Sequence, residues 1–201
     1  MYSQNNEEKI IEDFFGDYKG SFLDLGANDG KTLSNTHLLS LKDWWGVCVE
    51  PSPKAYEKLQ ALYKGNKKIQ TIQAAIAITD GPVSLYESDE HLGKGDSSLL
   101  STIIPSEMDR WKNTQKFEPV VVEGITVETF LKRSSISSFD FISIDCEGLD
   151  YFILEQLKPH IQNTSLICVE FNNKDREKFV NLMFPRHKLL FSNFENLIFG
   201  L

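Results

Sequence analysis

Cysteine is scarce in this chain: Cys48, Cys146 and Cys168 are the only three in 201 residues. An odd count without a CxxC pair excludes a disulfide framework and a structural zinc site. All three fall in apolar runs that read as strands, so buried thiols in a reducing compartment are expected. Long hydrophobic runs are also missing, and no stretch approaches the roughly 20 apolar residues of a membrane span. The amino terminus, MYSQNNEEKIIEDFF, is polar and acidic where a signal peptide would be basic and then apolar. A cytoplasmic protein with no membrane partner is the expectation. Positive charge is in deficit as well. The 21 Lys and Arg against 29 Asp and Glu give a formal net charge of −8, and no basic run occurs, so no nucleic-acid partner is expected.

What is present is an ordinary globular composition, 41% hydrophobic and 25% charged, long enough for one substantial core. Residues 1–201 therefore read as one domain. Residues 6–15 place Ile10, Ile11, Phe14 and Phe15 on one helical face, with Asn6 as a cap and Gly16 as a stop. A strand at 22–25 leads through a glycine turn to a helix over about 31–42. The next strand, 46–50, is closed by Pro51-Ser-Pro53, and Pro53 suits the first turn of a helix carrying Tyr56, Leu59 and Tyr63. Ile69 to Ile78 reads as a third strand region, with Asp80-Gly81 as a turn and Val83 to Tyr86 as its hairpin partner.

Residues 87–117 lack periodicity and read as a lid, an acceptor-binding insertion or disorder. Val120 to Val122 resumes a strand, and Val127, Phe130 and Leu131 have the spacing of a short helix. FDFISIDCEG (139–148) and LICVEFNN (166–173) are apolar strands ending in acid, each followed by a helix. Two strands near 187–191 and 195–200 form an antiparallel pair. The alternation implies an α/β fold of three layers around a mostly parallel sheet. No internal repeat interrupts it.

In open α/β sheets, ligands bind outside the carboxyl ends of the strands. Those ends here carry Asp24, Glu50, Asp145 and Glu170. One such acid is commonly a cap or a solvated turn residue; four at equivalent positions point to a site. In FLDLGANDG (22–30), Gly26 and Gly30 allow close backbone approach, but the pattern is not GxGxxG. Asp24 would repel a pyrophosphate and suits a cationic or hydroxyl-bearing cofactor. A carboxylate at Glu50, on the next strand's end, can accept both ribose hydroxyls of an adenosine. An adenosine with an amino-acid tail, as in S-adenosylmethionine, fits better than a dinucleotide.

FLDLGANDGKTLSNT, WWGVCVEPSP, DFISIDCEGLDYFILEQL and ICVEFNN together resemble the FkbM family of class I S-adenosylmethionine-dependent methyltransferases. The ordered set spans residues 22 to about 173. The resemblance implies a Rossmann-like seven-stranded sheet with an antiparallel carboxyl-terminal hairpin. It also implies O-methylation of a sugar, glycan or natural-product hydroxyl. Carried onto this chain, Gly26, Ala27, Asn28 and Gly30 would line the methionine part of the cofactor, with Asp24 near its amino group. Glu50 would hold the ribose, and Ala74 and Ala75 would face the adenine. Many class I enzymes have an acid at that last place; this chain has none. Ser97 and Ser98 would reach the cofactor carboxylate, or are plain loop residues.

Asp145 is the leading catalytic candidate, also near the cofactor, either as general base or as ligand of a divalent metal. Glu147 is a second base or a helix cap, and Glu170 a third acid at the same edge. Asp145, Glu170 and Asn172 offer hard oxygen ligands to Mg²⁺ or Mn²⁺. The arrangement is similar to metal-dependent O-methyltransferases, except that Glu-Phe-Asn here spaces acid and amide by one residue more. If the strand persists, that offset turns the two side chains to opposite faces. His37 and His91 are candidates for the acceptor pocket, or solvated. Trp44, Trp45 and Trp111 could stack on a sugar, though core packing is the default. Two rival readings remain: a noncatalytic or partner-dependent cofactor-binding protein, and an NAD-dependent oxidoreductase, for which GxGxxG and a hydride relay are missing. Oligomeric state is open.

Overall fold

The computed structural model describes every residue except Met1, Lys94 and Asn173, so the reading of the FNN stretch at Asn173 lies outside the described residues. Helix α1 (Glu7–Phe15) precedes β1 (Ser21–Leu25), α2 (His37–Leu41), β2 (Trp45–Val49), α3 (Pro53–Leu62) and β3 (Ile69–Ile72). Then come β4 (Ala75–Ile76), β5 (Gly81–Ser88), a 3₁₀ turn (Pro105–Arg110), β6 (Phe117–Ile125) and α4 (Val127–Arg133). The chain ends with β7 (Phe141–Ile144), α5 (Asp150–Leu157), β8 (Leu166–Glu170), α6 (Arg176–Met183), β9 (Lys188–Ser192) and β10 (Asn196–Gly200).

Seven strands form the main sheet in the order β3-β2-β1-β7-β8-β10-β9. All neighbours are parallel except β10, which runs antiparallel to both β8 and β9. The runs FISI and LICVE are buried throughout, as a parallel sheet covered on both faces demands. Leu25, Ile142, Ile144, Ile153 and Val169 belong to the core on one face, and Phe22, Trp44, Cys48, Phe141 and Cys168 to the core on the other. Strand order reverses at β1, whose neighbours β2 and β7 open a crevice at their carboxyl ends. Cys48 and Cys168 are buried and free as expected; Cys146 lies just past β7 and is half-buried.

Helix entries follow local chemistry. Ser52 accepts from the Ala55 amide with Pro53 in the first turn, and Thr126 and Asp175 cap α4 and α6 in the same way. The expected Asn6 cap does not form: Asn6 has φ +69° and makes no side-chain cap bond, while Ser3 Oγ accepts from the Glu8 amide at 3.0 Å. Phe14 falls outside the expected apolar face and is 43% exposed, whereas Ile11 is buried.

Three other expectations are corrected. The helix over 31–42 shrinks to α2, because the Asp29 carboxylate accepts from the amides of Lys31 and Thr32 and from the Thr32 hydroxyl. Ser34 Oγ likewise accepts from the Thr36 and His37 amides, and these local bonds displace helical ones. The region 69–78 splits between two sheets, and Val83 to Tyr86 does not pair with it. Strand β5 pairs antiparallel along its whole length with β6, which also takes β4 in parallel. The chain does turn at Asp80-Gly81, between β4 and β5, and the Asp80 carboxylate accepts from the Thr126 amide and the Thr129 hydroxyl, both at 2.7 Å, and so fixes the start of α4. Residues 87–117 are also not formless. They carry the 3₁₀ turn and a two-way backbone bridge between Thr102 and Tyr86.

Gly26 is required for packing more than for ligand approach. It has φ +84°, and a Cβ there would stand 1.7 Å from the Asp145 carbonyl oxygen. Neither chain can yield, since the Gly26 and Ala27 amides both donate to Val49 O and the Asp145 amide donates to Leu25 O. Gly26→Ala is therefore expected to cost roughly 3 kcal/mol or more in urea unfolding. Gly65→Ala, at φ +85° with nothing within 4 Å, should cost about 1 kcal/mol. Equal losses would show that the clash at Gly26 is relieved.

Candidate active site

One cleft opens at the carboxyl ends of β1, β2, β7 and β8, enclosing about 1460 Å³ with the open solvent of its mouth included. Of the residues singled out in the sequence, Asp24, Gly26, Ala27, Asn28, Glu50, Ala75, Ser98, Asp145, Glu147, Glu170 and Asn172 all line it. Gly30 stands behind the lining, packed against Leu59 and Leu62 of α3. Ser97 is also behind it, accepting from Asn28 Nδ2 through its carbonyl and from Lys58 Nζ through its hydroxyl.

Glu50 is set where β2 ends. Its Oε1 accepts from the Ser52 amide at 2.7 Å and its Oε2 from the Asn28 amide at 2.8 Å. Each oxygen keeps a lone pair for the cleft, which suits a vicinal diol. Burial raises its pKa to about 7, against the two amides, which favour the ionised form. Asp24 lies within β1, and its Oδ2 accepts from the Thr36 hydroxyl at 2.6 Å. Burial raises its pKa to about 6. Ala74, Ala75, Ile76, Leu85, Leu100 and Ile103 make an apolar end of the cleft, the surface a flat heterocycle needs.

The other end is acidic. Asp145 is open to the cleft but sits on its floor between strand ends; desolvation there, then Glu147, Asp150 and Asp24, hold its carboxyl well above the usual range. Glu147 has φ +42°, and burial followed by Asp150 raises it to about 8, opposed by Arg110, whose Nη1 is 3.8 Å from Oε2. The cap considered for Glu147 does not form, since α5 has no side-chain cap bond; Asp150 in its first turn accepts from the Cys146 and Gly148 amides and closes the preceding turn. Glu170 is buried and its Oε2 has no hydrogen-bond partner among the described residues. Carboxylate oxygens of Asp145, Asp150 and Glu170 lie within 4.8 Å of one another. Strand β8 stops at Glu170 and Asn172 turns at φ +47°, so the one-residue offset does not send Asn172 to the opposite face and it lines the same cleft.

Sequence reading missed Thr36, Asp150, Arg110, Gln4 and Glu195, all of which bear on the cleft. Only Asp150 had a signal, an acid at the first turn of a helix after a glycine. Gln4 and Asn5 both donate to the Glu195 carboxylate, a pairing across nearly the whole chain that no local pattern reveals. Of the aromatic and histidine candidates, His91 and Trp111 line the cleft edge to face at 5.2 Å. Trp44 is core, Trp45 is an exposed strand end under Lys68, and His37 is buried under Tyr2.

Asp24 marks a cost of the site. Its folded pKa of about 6 lies above the unfolded value of 3.8, so the folded state holds the extra proton and stability falls as pH rises between them. Asp24→Asn removes that penalty. Its Tm should exceed the wild type's by about 5 °C at pH 8, corresponding to about 2 kcal/mol, with the difference gone at pH 4. A lower Tm at pH 8 would contradict the assignment.

The family model described as the methyltransferase FkbM domain matches residues 24–196. The 2-O-methyltransferase NoeI of Sinorhizobium fredii is 23% identical over 158 residues, covering 76% of this chain and 63% of the relative. This chain thus spans less than two thirds of that protein. Among solved structures, monomeric WbdD superposes with a TM-score of 0.53 at 10% identity, covering 98% of this chain and 41% of that one. A TehB-like SAM-dependent methyltransferase from Corynebacterium glutamicum gives 0.51 at 10% identity, covering 100% and 88%. At such identities the likeness is one of fold, and it is the Rossmann-like methyltransferase fold. With most of its length matched by the family model, this chain belongs to the FkbM methyltransferase family.

Proposed function

We propose that this protein is an S-adenosylmethionine-dependent O-methyltransferase acting on a hydroxyl of a sugar, glycan or natural product. The observation that carries the reading is the pair of carboxylates about the glycine turn, Glu50 with free lone pairs on both oxygens and Asp24 twenty-six residues earlier in the same cleft. Glu50 takes the ribose hydroxyls, Asp24 the ammonium of the methionine tail, with Gly26, Ala27 and Asn28 beside it. The apolar end around Ala75 takes the adenine. When bound, S-adenosylmethionine supplies an electrophilic methyl group.

Asp145, open on the cleft floor, accepts the proton of the acceptor hydroxyl as that oxygen's lone pair forms the new C–O bond and the C–S bond breaks. Glu147 and Glu170 flank it and orient the hydroxyl. Trp111 and His91 give the acceptor ring an edge to pack on, and the segment 87–117 covers the cleft as part of one domain. The relative's printed name, a 2-O-methyltransferase, supports oxygen as the nucleophile. A cleft rich in acids suits a neutral polyol better than an anion. Among the described residues no helix is long and apolar enough to cross a membrane.

A divalent cation is a second element of the proposal. Glu170 Oε2 is buried without a hydrogen-bond partner among the described residues, Asp145 offers a carboxylate oxygen within 4.8 Å of the Glu170 carboxylate, and Asn172 lines the same cleft, oxygen donors of the kind Mg²⁺ or Mn²⁺ takes. Asp150 is nearby, but its oxygens are occupied by backbone amides. Bound there, the ion would lower the pKa of the acceptor hydroxyl. Calorimetric titration of wild type with Mg²⁺ or Mn²⁺ should show binding that Glu170→Gln loses; no binding at millimolar metal removes the ion from the account.

Two further outcomes are expected. S-adenosylhomocysteine should bind about tenfold more weakly at pH 6 than at pH 8, because the ionised Glu50 carboxylate is the better acceptor and is lost below about 7. Glu50→Gln should weaken binding about 10- to 100-fold and reduce that pH dependence to the smaller part due to Asp24, whose pKa is about 6. With labelled S-adenosylmethionine and a panel of methyl glycosides, Asp145→Asn should lower turnover about 10²- to 10⁴-fold. Binding without transfer to any hydroxylated acceptor would favour the noncatalytic reading.

A further inference from the structure

Among the buried acids that the chemistry at Asp145 leaves unused, one lies beside the nucleoside end of the cleft. Glu87, at the carboxyl end of β5 in the small sheet, is 6% exposed and faces Ser52, the cap of α3. Ser52 Oγ lies 2.5 Å from Glu87 Oε1 and 2.9 Å from Ser98 Oγ, and it accepts from the Ala55 amide at 3.2 Å. A hydroxyl has one proton, and a carboxylate paired with Lys54 Nζ at 3.0 Å can only accept. The single Ser52 proton has two acceptors in reach, Glu87 Oε1 and Ser98 Oγ, and the carboxylate is the stronger of them. Ser52 is thus the node of a short chain that joins Glu87 on one side to Ser98 on the other.

Ser52 and Ser98, two members of that chain, meet the nucleoside site. The Ser52 amide holds Glu50 Oε1, while Ser98 lines the cleft at φ +64°. The neighbouring Ser97 carbonyl accepts from Asn28 Nδ2, and the Asn28 amide holds Glu50 Oε2. Glu50, Ser52, Ser98, Ser97 and Asn28 thus close a ring of bonds, and Glu87 is its anchor in another sheet. Leu100 is tied to the same strand end, its amide donating to Ser88 Oγ at 3.1 Å.

We propose that Glu87 is a cofactor-positioning residue, which holds the Ser97–Ser98 turn and the Glu50 carboxylate in register through the Ser98–Ser52 chain without touching the ligand. This rests on the cofactor reading under Proposed function. The small sheet thereby carries the anchor for the nucleoside site.

Calorimetry with S-adenosylhomocysteine on wild type, Glu87→Ala, Glu87→Gln, Ser98→Ala and the Glu87→Ala/Ser98→Ala double variant tests the proposal. Hydrogen exchange across 97–100 is followed alongside. Glu87→Ala and Ser98→Ala should each weaken binding about tenfold and speed exchange at the Ser98 and Leu100 amides. Glu87→Gln, whose amide oxygen still accepts the Ser52 proton, should recover most of the affinity. The double variant should be no worse than the weaker single, since both cut one chain. If Glu87→Ala does not fold, Ser98→Ala and Glu87→Gln carry the comparison. Wild-type binding with every variant within twofold overturns this inference alone, as do additive losses in the double variant. No binding by folded wild type overturns the cofactor reading and this inference with it.

Discussion

Everything in the cleft depends on how closely the turn after β1 approaches the turn after β7. Gly26 sits where any side chain would strike the Asp145 carbonyl, and hydrogen bonds to Val49 and from the Asp145 amide to Leu25 fix both chains at that distance. The contact falls where strand order reverses, so the loops on either side leave in opposite directions and a crevice opens above it. Asp24 and Asn28 stand on one side of the contact, Asp145 and Glu147 on the other. The residues proposed for the cofactor and those proposed for the reacting group are adjacent because a glycine lets two strand ends touch.

The same proximity concentrates charge. Asp24, Asp145, Glu147, Asp150 and Glu170 meet at one edge of the sheet; burial raises the pKa of each, and repulsion from neighbouring acids adds to it at Asp145, Glu147 and Glu170. Such a cluster is unfavourable for folding, and its acids are relieved unequally. Asp150 is satisfied by backbone amides, Glu147 has Arg110, and Glu170 keeps an oxygen without a hydrogen-bond partner among the described residues.

How much of this could be read from the chain itself follows from the range of each interaction. Strands such as FISI and LICVE, the Ser52-Pro53 helix start and the acids at strand ends are local patterns, and they stand where the sequence places them. The helix at 31–42 failed because Asp29 and Ser34 side chains captured the amides that a helix would use, a competition that apolar spacing does not register. The pairing of β5 with β6 was hidden because roughly thirty intervening residues separate two strands that alternate in the same way. Gly26 and Gly30 were legible as glycines but not in purpose: one answers to Asp145, the other to Leu59. Glu87 and Glu195 were invisible, since each acts through partners distant in sequence.

The central claim is that the two carboxylates beside the glycine turn read the two ends of an S-adenosyl ligand. A crystal structure of the protein with S-adenosylhomocysteine tests it most directly. The account predicts both ribose hydroxyls on Glu50, the amino group within hydrogen-bond distance of Asp24, and the adenine against Ala75. A ligand seated elsewhere, or in this cleft with its ribose away from Glu50, would contradict it.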